Sequence, residues 1–168
     1  PAWHGLGTVL PDAVTPMEAL RVGRIDWTVE ESMSMTAVFP LTHSDVERVI
    51  VTSHKTLRRS DDKSVLATVG ADFCVLQNNR LAEIATSLGE AGKVKVESAG
   101  SLFGGKKVFF LIRTSSIDVG GRGDLLHQYI LLANAHDGTM SATVMPTSVR
   151  VVCNNTLTMA LGAASAGA

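Results

Sequence analysis

The chain has 168 residues, 45% of them hydrophobic and 18% charged, with a formal net charge of −1. That balance excludes a disordered tail and a uniformly basic nucleic-acid binder, although lysines and arginines gathered on one face would still attract phosphate. The length suits one domain, residues 1–168, burying roughly two thirds of its unfolded surface without a metal or disulfide staple.

Residues Pro1 to Pro11 are rich in Gly and Pro, so an irregular N-terminal arm over 1–14 is expected. Thr15-Pro16 then starts a short helix, with Thr15 as N-cap, Pro16 at its first position and Glu18 in its first turn. From Trp27 the pattern has period two: Trp27, Val29, Met33, Met35 and Ala37 alternate with Thr28, Glu30, Ser32, Ser34 and Thr36, Glu31 being the one exception. This predicts a half-buried strand. Ser44 to about Thr52 reads as a second helix, capped by Ser44 or Thr42 and burying Val46, Val49 and Ile50, and the basic run Lys55, Arg58, Arg59 follows it. Val65–Val69 and Phe73–Leu76 look like two strands, or one bent at Gly70. Asn78 or Asn79 then caps a helix with Leu81, Ile84, Ala85 and Leu88 on one face and Gly89 as its stop.

The second half predicts an antiparallel meander over Val94–Leu102, Lys107–Thr114, His127–Ala135 and Met140–Val152. Gly104-Gly105 and Asp137-Gly138 stand where tight turns need positive φ. Pro146 cannot donate to a ladder, which sets the last strand at an edge or a bulge. Ser115–Gly123 is an exposed loop by composition, and a short helix over 155–164 closes the chain. The fold class is therefore α+β: an antiparallel meander with packed helices.

Several motifs invite a catalytic reading. Gly100-Ser-Leu-Phe-Gly-Gly105-Lys106-Lys107 approaches the phosphate-cradling loop GxxxxGK[ST]. Lys107, however, takes the place of the magnesium-binding hydroxyl, and a strand, VFFLIRT, follows where a helix N-terminus is required. A glycine hairpin turn is the better reading. His136-Asp137 looks like half of an acid-base or metal pair, but no spacing among His4, His43, His54, His127 and His136 implies a ligand set, so His136 is expected to flank the Asp137-Gly138 turn. Cys153 lacks a nucleophile signature and reads as a buried thiol at the end of VRVVC. Arg122-Gly123-Asp124 reads as a polar loop. With two cysteines, no bilayer-spanning stretch and no signal pattern in PAWHGLGT, a reducing cytoplasmic setting without a membrane is expected. The basic residues offer a different chemistry: Lys106 and Lys107 at a hairpin tip, Arg113 along the same strand, and Lys55, Arg58 and Arg59 elsewhere. Phe103 and Trp3 would supply stacking faces of the kind single-strand binders use.

A set of short stretches stands out along the chain: Trp3-His4-Gly5-Leu6-Gly7-Thr8; Val69-Gly70 with Gln77-Asn78; Ala99-Gly100-Ser101-Leu102 with Gly104-Gly105; His136-Asp137-Gly138; and Arg150-Val-Val-Cys153-Asn-Asn155-Thr156-Leu157. They run in one order from end to end, and together they resemble the phage/plasmid-like family marked by a Leu-Gly-Thr domain. Members continue with more helix beyond the Asn-Thr-Leu motif, so this chain is expected to be short at its C-terminus. The resemblance implies a phage or plasmid origin in a bacterial host cell, and the meander-then-helix order is similar to the β-β-β-α core of single-strand annealing recombinases. On that reading the chain binds and anneals single-stranded DNA as a homo-oligomeric ring or filament, without a cofactor or covalent chemistry. Phosphates would meet Lys55, Arg58, Arg59, Lys106, Lys107, Arg113 and Arg150, with Phe103 beside them. Two alternatives stand: a protein-interaction module that counters a host defence, and a metal-dependent nuclease or hydrolase joining His4, His136 and Asp137 with Asp72 or Glu97.

Overall fold

The computed structural model of the protein describes residues 8–88, 94–118, 125–148 and 154–165. In chain order the elements are β1 (Thr8–Val14), α1 (Pro16–Val22), β2 (Val29–Glu31), β3 (Met35–Pro40), β4 (Val46–Val51), β5 (His54–Arg59) and β6 (Val65–Gly70). Then come α2 (Asn78–Ser87), β7 (Val96–Leu102), β8 (Lys107–Asp118), β9 (Leu125–Ala135), β10 (Thr143–Thr147) and α3 (Asn154–Ser165). The strands form a five-stranded sheet β1-β7-β8-β9-β10, a three-stranded sheet β2-β5-β6 and a two-stranded sheet β3-β4. Every pairing is antiparallel, which makes the fold α+β.

The five-stranded sheet is the centre because β8 is apolar on both faces. Val108, Phe110 and Ile112 enter a core with Leu20 of α1, Leu81 and Ala85 of α2, and Trp27, Leu57 and Leu66 around the three-stranded sheet. Phe109 and Leu111 enter a second core with Tyr129 and Leu131 of β9 and Leu157 and Ala160 of α3. The alternation along VFFLI is the two-residue period of a strand, applied to a sheet covered on both sides. Each such side chain contributes about 1.5–3 kcal/mol by leaving water.

Local chemistry sets the helix starts. Thr15 closes a capping box on α1, its hydroxyl accepting from the Glu18 amide (3.3 Å) while the Glu18 carboxylate accepts from the Thr15 amide (3.0 Å). At α2 the expected cap is displaced by one residue: Gln77 is the N-cap, and Asn78 opens the helix with its side chain in the core. The Gln77 amide instead joins α2 to β2, its Oε1 accepting from Val29 N (2.8 Å) and its Nε2 donating to Val29 O (2.9 Å).

Other expectations need correction. Ser44–Thr52 is not a helix, because Thr42 Oγ1 accepts from the amides of Ser44 and Asp45 in a hairpin turn and Val46–Val51 pairs with β3. The N-terminal arm contains strand β1, which pairs Thr8 with Ala99 and Val9 with Ser98. The strand expected from Trp27 is split at Ser32–Ser34 into β2 and β3, which lie in different sheets. Phe73–Leu76 pairs with no strand among the described residues, and Ser115–Asp118 extends β8 rather than forming loop. Pro146 does lie on an edge strand, opposite Ile130, and the Gly104-Gly105 and Asp137-Gly138 turns stand where the glycines called for them. Gly89, Arg122-Gly123 and Cys153 lie outside the described residues.

Candidate nucleic-acid interface

The chain reverses between β7 and β8 through a 3₁₀ turn, Phe103–Gly105, in which all three residues have positive φ: 53°, 70° and 103°. Glycine adopts this backbone freely; phenylalanine does so at a cost of order 1–3 kcal/mol, met only when the surroundings fix the conformation. They do so here. A Cβ on Gly105 would stand 2.9 Å from Trp27 Cζ2 and 3.2 Å from Arg59 Cδ, so only glycine fits. The Arg59 guanidinium lies 4.6 Å over the Trp27 ring, and its Nη1 donates to the Gly104 carbonyl (3.3 Å). On the other side the His136 amide donates to the Lys106 carbonyl (2.7 Å).

Held this way, the turn displays an aromatic face and two cations. Phe103 is 54% exposed, the Lys107 Nζ lies 5.6 Å from its ring centroid, and Lys106 is exposed beside it. Neither lysine makes an ion pair among the described residues, so both charges remain available to an anion.

The turn rests on a buried polar column that the sequence did not disclose. Asn78 Nδ2 donates to the carbonyls of Ile25 (3.0 Å) and Trp27 (3.2 Å), leaving its Oδ1 to accept from His136 Nε2 (2.9 Å). The proton of His136 is thereby fixed on Nε2. Its ring meets Trp27 edge-on at 5.6 Å, and its Nδ1 is buried without a partner among the described residues. Burial pushes the His136 pKa down from 6.5 to about 4, the neighbouring Asp137 carboxylate opposing the shift. Asp137 itself accepts from the Thr139 amide (3.1 Å) and hydroxyl (2.6 Å), so it stabilises its turn, as expected. Among the described residues no three His, Cys, Asp or Glu side chains gather as a metal ligand set.

The basic residues singled out in the sequence divide into two groups. Phe103, Lys106, Lys107 and Arg59 come together around the turn. Arg59 nevertheless carries its own counter-ions, Asp61 (2.5 Å) and Asp62 (3.6 Å), and the Asp61 hydrogen bond raises its pKa while holding that of Asp61 below the ordinary value. Lys55 is bound to Glu31 (2.6 Å), and Arg58 shares Glu30 with Lys63, both at 2.7 Å. Hydrogen bonds from Lys63 and then Arg58 hold the Glu30 carboxyl below its usual range. The three-stranded sheet therefore offers phosphate a neutralised surface. Arg113 lies six residues along β8 from Lys107, about 20 Å at strand rise, and faces Glu97 at 3.7 Å. Arg150, Trp3 and His4 lie outside the described residues. The residues missed were the partners: Asp61-Asp62 stood beside Arg59 in the sequence as a visible signal, whereas nothing local tied Trp27, Asn78 and His136 to the turn.

Neither a curated protein nor a solved structure matches the chain. A family model described as a domain of unknown function, DUF932, matches residues 65–168, from β6 through the Phe103 turn to α3. Covering more than half of the chain, that match places the protein in the DUF932 family.

Proposed function

We propose that the chain is a phage- or plasmid-borne protein that binds single-stranded DNA through the Phe103–Lys107 turn and acts noncovalently, as a homo-oligomer, in strand annealing during recombination or replication. The observation that supports this most is an exposed aromatic ring, held in a costly left-handed backbone, with two lysines beside it that make no ion pair among the described residues. Bases stack on such a ring whatever their sequence, and the ammonium groups meet the backbone phosphates. The succession β7-β8-β9-β10-α3 also fits a meander-plus-helix annealing core.

Fluorescence anisotropy with a labelled single-stranded oligonucleotide at two salt concentrations tests it, with duplex DNA as control. Single-strand-preferring, salt-sensitive binding is expected. Phe103→Ala should weaken it by roughly 1–3 kcal/mol. Joint Lys106→Ala and Lys107→Ala should flatten the salt dependence by about one counterion per lysine. Lys55→Ala should change little, since Glu31 already holds that ammonium. No binding by the folded wild type at low salt would sink the reading.

A further inference from the structure

The β3–β4 hairpin is the least covered part of the described chain. Of the fourteen exposed large apolar side chains among the described residues, six lie on it: Val38, Phe39, Leu41, Val46, Val49 and Ile50, the last 69% exposed. Among the described residues its two strands pair only with each other, and its main approach to the body is that of β3 to β5. A two-stranded sheet with open edges and apolar faces is marginal in water and prone to pairing.

Its register decides what would cover it. Phe39 stands opposite Glu47 and Val38 opposite Arg48. Because successive residues point to opposite faces, Glu47 projects from the face that carries Phe39 and Val49, and Arg48 from the face that carries Val38 and Ile50. Neither charge has an ion partner among the described residues. The two faces are thus apolar, adjacent and of opposite charge.

We propose that the hairpin is a self-association surface on which the Glu47 face of one copy stacks against the Arg48 face of the next. A two-fold contact of either face with itself would bring like charges together in an apolar setting. The head-to-tail contact instead joins a carboxylate to a guanidinium and buries Phe39 and Val49 against Val38 and Ile50. Such a contact is heterologous, so it propagates into a ring or a filament. It deepens the oligomeric part of the proposed function and rests on that reading in this respect alone.

Size-exclusion chromatography with light scattering on the full chain, over a dilution series, tests the proposal. The wild type should assemble, and Glu47→Arg and Arg48→Glu should each weaken assembly at least about tenfold, a change equivalent to 1.4 kcal/mol. The first variant carries arginine on both faces and the second glutamate on both, so mixing them should restore assembly. Circular dichroism melts matching the wild type establish that both variants fold. A wild type that stays monomeric at its highest soluble concentration, folded single variants that assemble like the wild type, or a mixture that stays monomeric would each overturn the proposal. The readout contains no DNA, so a failure of oligonucleotide binding overturns the proposed function and leaves the assembly result standing.

Discussion

Two antiparallel pairs in this chain are built from similar residues and meet opposite fates. In β8 and β9, Phe109, Phe110, Leu111 and Leu131 are fully buried, whereas in β3 and β4 Phe39 is 51% and Ile50 69% exposed. Both pairs have satisfied ladders. The difference lies in the layers: β8 and β9 have α1 and α2 on one face and α3 on the other, while among the described residues no helix covers either face of the β3–β4 hairpin. A ladder organises backbone hydrogen bonds; it does not by itself remove apolar surface from water.

If stability resides in the layered sheet, Phe110→Ala should be the most damaging change, at about 3–5 kcal/mol in urea denaturation. A smaller loss would mean that the sheet is less tightly packed than its burial implies. Gly105→Ala comes next. The left-handed backbone costs about 1–3 kcal/mol and displacing Trp27 a similar amount, so the midpoint should fall with the m-value unchanged.

Acid attacks the same layered half through His136. Its folded pKa of about 4 lies below the unfolded value of 6.5. The unfolded chain therefore binds the proton first, and stability is lost as pH falls through that window and levels off below it. The loss should be about 3 kcal/mol by pH 4, at 1.36 kcal/mol per unit. Above about pH 5.5 the carboxylates of Glu18, Glu30, Asp61 and Asp62, whose ordinary values are 4.5 and 3.8 and which the fold lowers further, stay ionised in both states, so the slope between pH 6.5 and about 5.5 belongs to His136. His136→Gln should flatten it, and a slope that survives the substitution would remove His136 as its source. Smallest of all should be Ile50→Ala, within about 0.5 kcal/mol for the monomer. A larger loss would show that the hairpin packs on the body after all.

The same contrast explains what was legible in the sequence. The β7–β10 meander could be read because its turns carry Gly104-Gly105 and Gly138 and its two central strands carry the apolar runs VFFLI and YILLA. Val46, Val49 and Ile50 fit a helical stripe as well as a strand, and the side-chain acceptors that mark a helix start at Thr42 and Ser44 serve a hairpin turn equally well. What decided for strand was pairing with Met35–Pro40, a contact between segments. At the candidate interface, Phe103, Lys106 and Lys107 were legible as neighbours on one turn. Arg59 was not, being brought 45 residues back to Gly104 by the packing of two sheets. Neutralisation of Lys55 by Glu31 and of Arg58 by Glu30 follows from the β2–β5 register, in which Glu31 faces Leu57 and Glu30 faces Arg58.

Met35 and Val51 are register partners, so the hairpin leaves the body and returns to it at a single rung. Lengthening, shortening or exchanging everything beyond that rung leaves the spacing of the flanking strands unchanged. The position is therefore a natural graft point: a tag, a reporter or a binding loop inserted there would keep the layered sheet and the Phe103 turn in place.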